Sequence, residues 1–290
     1  MISNSAEQTS AEEVIKVAAL AKRYGSLEAL SGVFFKVFQG EIFAYLGPNG
    51  SGKTTTIRIL TGLTRATSGD AWINGFHYEK QALDAKRQCG VVPQTINLDQ
   101  ELTVFDNLEI HRRLFGLSSE SRRRIDLLLD YVGLLERRNA TVRQLSGGMK
   151  RRLMIARAMV HEPVILFLDE PTVGLDPAIR RDIWALIKKV QADGVTVFLT
   201  THYIEEAEFL ADRIALLDRG EIVALDKPQT MMSALGEWAI DQVVHNRVVS
   251  SYFATHAEAG KHALEMENSY SIRRVNLEDA FLQMTGKKLL

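Results

Sequence analysis

Gly47-Pro48-Asn49-Gly50-Ser51-Gly52-Lys53-Thr54 is the stretch whose reading decides the fold. It matches the spacing G-x-x-x-x-G-K-[ST]. In that pattern the glycines let successive backbone N–H groups face one anion, the lysine reaches terminal phosphates, and the hydroxyl that follows suits Mg²⁺. Such a loop needs a strand before it and a helix after it, and both flanks read that way. Residues 41–46 have strand composition behind a Gln39-Gly40 turn, and residues 53–63, including Thr55, read as the helix that the loop opens.

Further strand candidates are residues 14–19, 70–73, 89–92, 164–168, 195–200, 214–217 and 221–224. In the second half they alternate with helical patterns, which predicts an α/β fold around a largely parallel, doubly wound sheet. Residues 164–168 form a continuous apolar run, as expected of a central strand buried on both faces, and deliver Asp169 and Glu170 at its C-terminal end. Standing alone, paired acids there would read as a helix cap. Beside a phosphate loop, Asp169 suits the Mg²⁺ environment and Glu170 suits orienting or deprotonating an attacking water.

Between residues 102 and 160 the pattern turns helical without strands, with N-caps expected at Thr103 and at Ser118 or Ser119. From Gly236 a third segment follows: residues 239–251 are mixed, 258–266 helical, 270–275 a strand and 277–285 helical. The expected division is a tail over 1–13, a nucleotide-binding domain over 14–235 with its helical subdomain at about 102–160, and a C-terminal extension over 236–290, too short for an elaborate fold.

Composition narrows the function class. The chain has 290 residues, 46% hydrophobic and 24% charged, an ordinary globular balance. With 35 basic against 36 acidic residues the net charge is −1, so no nucleic-acid partner is expected. The apolar runs at 164–168 and 195–199 are far short of the roughly 20 residues that span a bilayer. Residues 1–13 lack the basic start and apolar stretch of a secretory signal, and a frayed tail is expected there. The lone cysteine, Cys89, excludes an internal disulfide and reads as a small buried residue beside Gly90. His77, His111, His161, His245, His256 and His262 show no ligand spacing and read as structural or solvated. Lys150-Arg151-Arg152, with Arg157, reads as the solvated face of a helix whose apolar face is Met149, Leu153, Ala156 and Val160. Arg122-Arg123-Arg124 and Arg137-Arg138 read as solvated or salt-bridged.

Leu145-Ser146-Gly147-Gly148-Met149 supplies a second set of backbone donors for phosphate, distant in sequence from the first. Two half-sites per chain, completed by a second copy, follow from that reading. Taken in order, these motifs resemble those of the nucleotide-binding subunit of ATP-binding-cassette (ABC) transporters, over nearly the whole chain. The resemblance implies a P-loop NTPase with a mostly parallel central sheet, an antiparallel β subdomain, a helical insertion and a short α+β C-terminal extension. It implies ATP and Mg²⁺ as cofactors, with Thr54, Gln94 and Asp169 around the metal and Glu170, Gln94 and His202 as the catalytic set. It further assigns Tyr24 to stacking on adenine, residues 47–55 to the phosphates, and Ser146, Gly147 and Gly148 to the γ-phosphate held by the other protomer. Asp176 corresponds to the loop aspartate linking the two sites, and His202 to the γ-phosphate switch. Met149 departs from the glutamine usual there, which leaves backbone phosphate contact intact but puts any side-chain contact in question.

The resemblance also implies a separate transmembrane permease that holds the chain at the cytoplasmic face of the inner membrane. Residues 276–282 with Thr285-Gly286, and the stretches 90–116 and 201–212, resemble exporter subunits serving drugs, polysaccharides, lipid-linked signals or sodium. An importer ATPase stays open as the nearer alternative. A soluble cassette ATPase acting on a ribosome, DNA or a protein assembly is the further one, although the second cassette or long coiled-coil insertion usual in such proteins is missing. A GTPase is disfavoured by the lack of an Asn-Lys-x-Asp motif.

Overall fold

A computed structural model describes residues 12–119, 122–245, 247–264, 266 and 269–285. Most of the expected N-terminal tail, and Gly286, lie outside the described residues.

The chain opens with an antiparallel hairpin, β1 (Glu13–Tyr24) and β2 (Leu27–Phe38), before β3 (Ile42–Leu46) runs through the glycine loop into α1 (Lys53–Leu60). β4 (Ser68–Ile73) pairs with β1 and β5 (Phe76–His77) with β4, giving a four-stranded antiparallel sheet in the order β2-β1-β4-β5. The short α2 (Ala82–Arg87) leads to β6 (Cys89–Val92). Three helices follow, α3 (Val104–Leu114), α4 (Arg122–Tyr131) and α5 (Gly147–Ala158). The chain then alternates through β7 (Ile165–Asp169), α6 (Pro177–Ala192), β8 (Thr196–Thr201), α7 (Ile204–Leu210), β9 (Arg213–Asp218), β10 (Glu221–Asp226) and α8 (Pro228–Ser233). The central sheet has six strands in the order β10-β9-β3-β8-β7-β6, all parallel except β10.

The expected mostly parallel sheet is present, and its two faces are covered differently. On one face Phe43, Tyr45, Phe167 and Phe198 pack against α1 and the antiparallel sheet. On the other, Leu46, Leu166, Leu168 and Leu199 pack against α5, α6 and α7 through Leu153, Ile155, Ile187 and Leu210. One face of the expected double winding is therefore largely a second sheet. Sequence patterning registered only residues 14–19 of that sheet's long hairpin, because β1 is bulged. Ala19 sits at φ 52° and the register to β2 shifts four times along the strand, so apolar residues do not alternate.

The helical insertion carries no strand among its described residues. Thr103 caps α3 as expected, its hydroxyl accepting from the Asp106 N–H at 3.0 Å. The expected cap at Ser118 or Ser119 abuts residues 120–121, which lie outside the described residues. None of the described helices is long and apolar enough to cross a membrane. Cys89 is buried as expected, and burial pushes its thiol up to about 12.

The C-terminal extension is more organised than its length suggested. Its mixed stretch is a hairpin of β11 (Trp238–Val244) and β12 (Arg247–Phe253), and with β13 (Tyr270–Arg274) it forms a three-stranded antiparallel sheet, order β12-β11-β13. α9 (His256–Ala263) covers one face around Ile240, Ala259 and Ala263. It starts two residues before the expected point because Thr255 and Glu258 form a capping box. α10 (Leu277–Thr285) then returns to the main core, burying Leu277, Ala280 and Phe281 there. Arg273 ties sheet to helix, donating to Asp241 and Asp279 at 2.6 Å each.

Phe198 is the centre of the aromatic cluster, with its ring 5.5–5.9 Å from those of Phe35, Phe43, Tyr45 and Phe167. Phe198→Ala is expected to cost about 3–5 kcal/mol of stability, read from the midpoint of a urea unfolding curve.

Candidate functional site

The glycine loop between β3 and α1 is tightly packed at its two ends, Gly47 and Gly52, and open at Gly50. A Cβ on Gly47 would lie 2.2 Å from the Leu217 carbonyl oxygen and 2.7 Å from Ser51 Oγ. Lys53, the first residue of α1, folds back under the loop and is buried. Its ammonium donates to the carbonyls of Gly47 at 2.8 Å and Pro48 at 3.0 Å and stands 3.4 Å from Glu170 Oε1. Burial lowers its pKa from the ordinary value, and the charges of Glu170 and Asp169 oppose that shift. Ser51 Oγ is buried without a hydrogen-bond partner among the described residues.

The acids arrive at the C-terminal end of β7. Asp169 Oδ1 accepts from Thr54 Oγ1 at 3.2 Å and from Thr200 Oγ1 at 2.6 Å. Glu170, one residue past the strand, sits in the left-handed region at φ 47°, its N–H donating to the Thr200 carbonyl at 3.1 Å. A non-glycine residue there stores strain of order 1 kcal/mol, which the surrounding contacts must hold. Its carboxylate is a meeting point. Oε2 accepts from Gln94 Nε2 at 3.1 Å and lies 3.3 Å from His202 Nδ1, while Lys53 approaches Oε1.

A cleft of about 430 Å³ runs from Tyr24 and Leu27 past Asn49, Lys53, Thr54 and Thr55 to Gln94 and Glu170. Tyr24 forms its lip at the turn of the first hairpin, 44% exposed, with Lys22 Nζ 4.8 Å from the ring centre. Leu27 and Ala29 also line it. Both lie on β2, over which the sequence reading expected no strand.

The second phosphate-binding candidate stands apart. Ser146 caps α5, its Oγ accepting from the Met149 N–H at 3.3 Å. Ser146 and Gly147 are exposed, and Gly148 is buried so tightly that a Cβ would lie 2.5 Å from Ile179 Cγ2. None of residues 146–148 lines the cleft. Asp176, exposed at the N-terminus of α6, does not line it either.

The basic run overturns one expectation. Arg151 is buried rather than solvated, donating to the carbonyls of Pro93 at 2.9 Å and Gln94 at 3.0 Å. Arg157 donates to the Asn97 carbonyl at 2.8 Å and Arg152 to that of Val132 at 3.3 Å. These cations supply donors to the carbonyls of neighbouring loops, a role invisible to helical periodicity. Glu206 was also missed. It is fully buried, its Oε1 accepting from Thr172 Oγ1 at 2.7 Å and Trp184 Nε1 at 2.9 Å, and burial raises its pKa. His77 and His161 are structural as expected, the first bonded to Asp70 at 2.8 Å, the second stacked on Phe115 at 3.7 Å.

Residues 30–173 match the family model described as ABC transporter. The chain is 37% identical to the Nod factor export ATP-binding protein I of Ralstonia nicotianae, over 95% of each protein. It belongs to the ABC transporter family. To the linearmycin resistance ATP-binding protein LnrL of Bacillus subtilis it is 36% identical, covering 93% of this chain and 97% of that one. Among solved structures it resembles a dimeric ATP-binding cassette in a post-hydrolysis state bound to ADP and phosphate, with a TM-score of 0.65 and 33% identity over 73% of this chain and 98% of that chain. This ABC subunit is accordingly an ATP hydrolase that binds ATP and works as part of a membrane-associated transporter.

The crowding at Gly47 gives a direct test of the loop. Overpacking there by one methyl group should weaken ATP binding by Gly47→Ala about tenfold to a hundredfold, measured by calorimetric titration of the folded variant.

Proposed function

We propose that the chain is the ATPase of an exporter, a homodimer that encloses two Mg·ATP and drives a separate membrane-spanning permease. The observation that carries this reading is the split of the phosphate-binding elements. Lys53, Thr54, Gln94 and Glu170 line one cleft, with Asp169 bonded to Thr54 and His202 beside Glu170, whereas Ser146 and Gly147 are exposed and lie outside that cleft. A second copy turned head to tail would bring its residues 146–148 over this copy's cleft, completing two sites. The dimeric state of the solved relative supports that arrangement.

Within each site the loop N–H groups and Lys53 hold the phosphates, and Tyr24 stacks on the adenine. The unpartnered Ser51 Oγ and an ammonium resting on loop carbonyls leave donors that phosphate oxygens satisfy. The Thr54 hydroxyl and the Asp169 carboxylate, bonded to each other, would offer oxygen donors to Mg²⁺ carried in with a nucleotide, with the Gln94 side chain lining the same cleft. Mg²⁺ there neutralises charge on the phosphates. Glu170 orients the attacking water and takes its proton, Gln94 and His202 fix the carboxylate, and His202 also reads the γ-phosphate. Asp176 lies between the two sites of the dimer.

Residues 14–235 form the ATP-binding domain, with residues 102–160 as the helical subdomain facing the permease and residues 236–290 as an appended unit. Attachment through the permease keeps the chain at the cytoplasmic face of the inner membrane. The relatives' names, one for Nod factor export and one for linearmycin resistance, support outward transport of a drug-, lipid- or polysaccharide-like cargo.

Glu170→Gln is expected to form a dimer on adding Mg·ATP, seen by gel filtration, while turnover falls about a hundredfold or more. Hydrolysis at the unaltered rate would remove Glu170 from the catalytic role. A tagged chain drawn from detergent-solubilised membranes should bring a polytopic membrane protein with it. Recovery of a solute-binding protein as well would favour import, and recovery of only ribosomal or soluble proteins would overturn the transporter arrangement proposed.

A further inference from the structure

The helix that presents Ser146–Gly148 also grips the loop that carries Gln94. At its N-terminus α5 offers the exposed Ser146 and Gly147, and one turn on, Arg151 points inward and is 5% exposed. The two terminal nitrogens of its guanidinium donate to successive carbonyls, Pro93 O at 2.9 Å and Gln94 O at 3.0 Å. Further along the helix Arg157 donates to the Asn97 carbonyl, so one helix fixes both ends of residues 93–97. The Gln94 side chain in turn donates to Glu170 Oε2 at 3.1 Å.

A planar guanidinium fork holds two neighbouring acceptors in fixed relative geometry, which a lysine ammonium on its flexible stem does not. Arg151 itself is buried, and two bonds from one helix leave the loop little freedom to lag behind helix movement.

We propose that Arg151 is a positioning residue that couples the two nucleotide sites of the dimer, tying the helix that meets the partner's nucleotide to the Gln94 backbone beside the chain's own Glu170. This rests on the two-site dimer proposed above. When ATP in the partner engages Ser146–Gly148, displacement of α5 carries Pro93 and Gln94 with it. That sets the hydrogen bond from Gln94 to Glu170, so occupancy of one site tunes the carboxylate of the other.

The test is steady-state ATP hydrolysis by the full chain, as a function of ATP concentration, for the unaltered protein and for Arg151→Lys, Arg151→Gln and Arg151→Met. The unaltered protein is expected to hydrolyse ATP with a Hill coefficient above 1. In Arg151→Gln and Arg151→Met the coefficient falls to 1 and kcat falls about tenfold, within the usual range of an allosteric coupling, while half-saturation changes much less. Arg151→Lys, which keeps the charge but not the fork, falls in between. A purely structural role would instead lower Tm and the yield of folded protein, leaving the Hill coefficient of the folded fraction unchanged. If the glutamine and methionine variants do not fold, the lysine variant decides by the same coefficient. Non-cooperative hydrolysis by the unaltered chain, or unchanged cooperativity and kcat in the folded variants, overturns the proposal.

A second measurement separates this failure from failure of the dimer reading. Arg151→Gln placed in the Glu170→Gln background should still dimerise with Mg·ATP, because the phosphate contacts of both half-sites are untouched. If the Glu170→Gln chain itself does not dimerise, the two-site reading falls, and the coupling falls with it. If it dimerises and only the Arg151 variants behave like the unaltered chain, the coupling alone is lost.

Discussion

The buried ammonium of Lys53 is the constraint around which the site is arranged. A cation held away from water is tolerated only when acceptors surround it. Here those acceptors are two carbonyls of its own loop and the Glu170 carboxylate from the end of β7. The loop must therefore curl over α1, and β7 must lie close enough to deliver its acid. β8, between β3 and β7, supplies the Thr200 hydroxyl and carbonyl that hold Asp169 and Glu170 in place. The strained backbone of Glu170 follows from the same requirement, since the chain has to turn sharply after the strand to keep the carboxylate in the cleft.

The two faces of the central sheet divide the work of support. The aromatic layer beneath β3, β7 and β8 binds them to α1 and to the antiparallel sheet, which also contributes the aromatic lip of the cleft. The aliphatic layer on the other face holds α5, the helix that joins the outward-facing Ser146 and Gly147 to the Gln94 loop. The C-terminal unit is not a loose appendage to this scheme. α10 buries Leu277 and Phe281 in the aliphatic core, and the Leu277 N–H donates to Glu208 of α7, the helix that follows His202.

Legibility in the sequence followed the range of the interactions. The phosphate loop, the apolar run of β7 with its two acids, and the cap at Thr103 are local patterns in which neighbouring residues carry the whole signal, and the structure contains each of them. The β1–β2 hairpin was only partly legible because a bulge at Ala19 spoils the two-residue period. Arg151 was misread because helical periodicity reports which side of a helix is apolar. It does not report that the other side meets a loop whose carbonyls need donors. Glu206 gave no signal at all, as its partners Thr172 and Trp184 lie on other elements.

The sequence by itself determined the phosphate loop, the parallel α/β architecture, the helical insertion and the family resemblance, because those depend on short-range spacing and on apolar patterning along single elements. Only the tertiary structure decided that Glu170 is met at once by Lys53, Gln94 and His202, that β2 lines the cleft, and that Arg151 joins α5 to the Gln94 loop. Each of these is a meeting of residues far apart in the chain. Their distances are set by how strands and helices pack, which no local pattern of residues encodes.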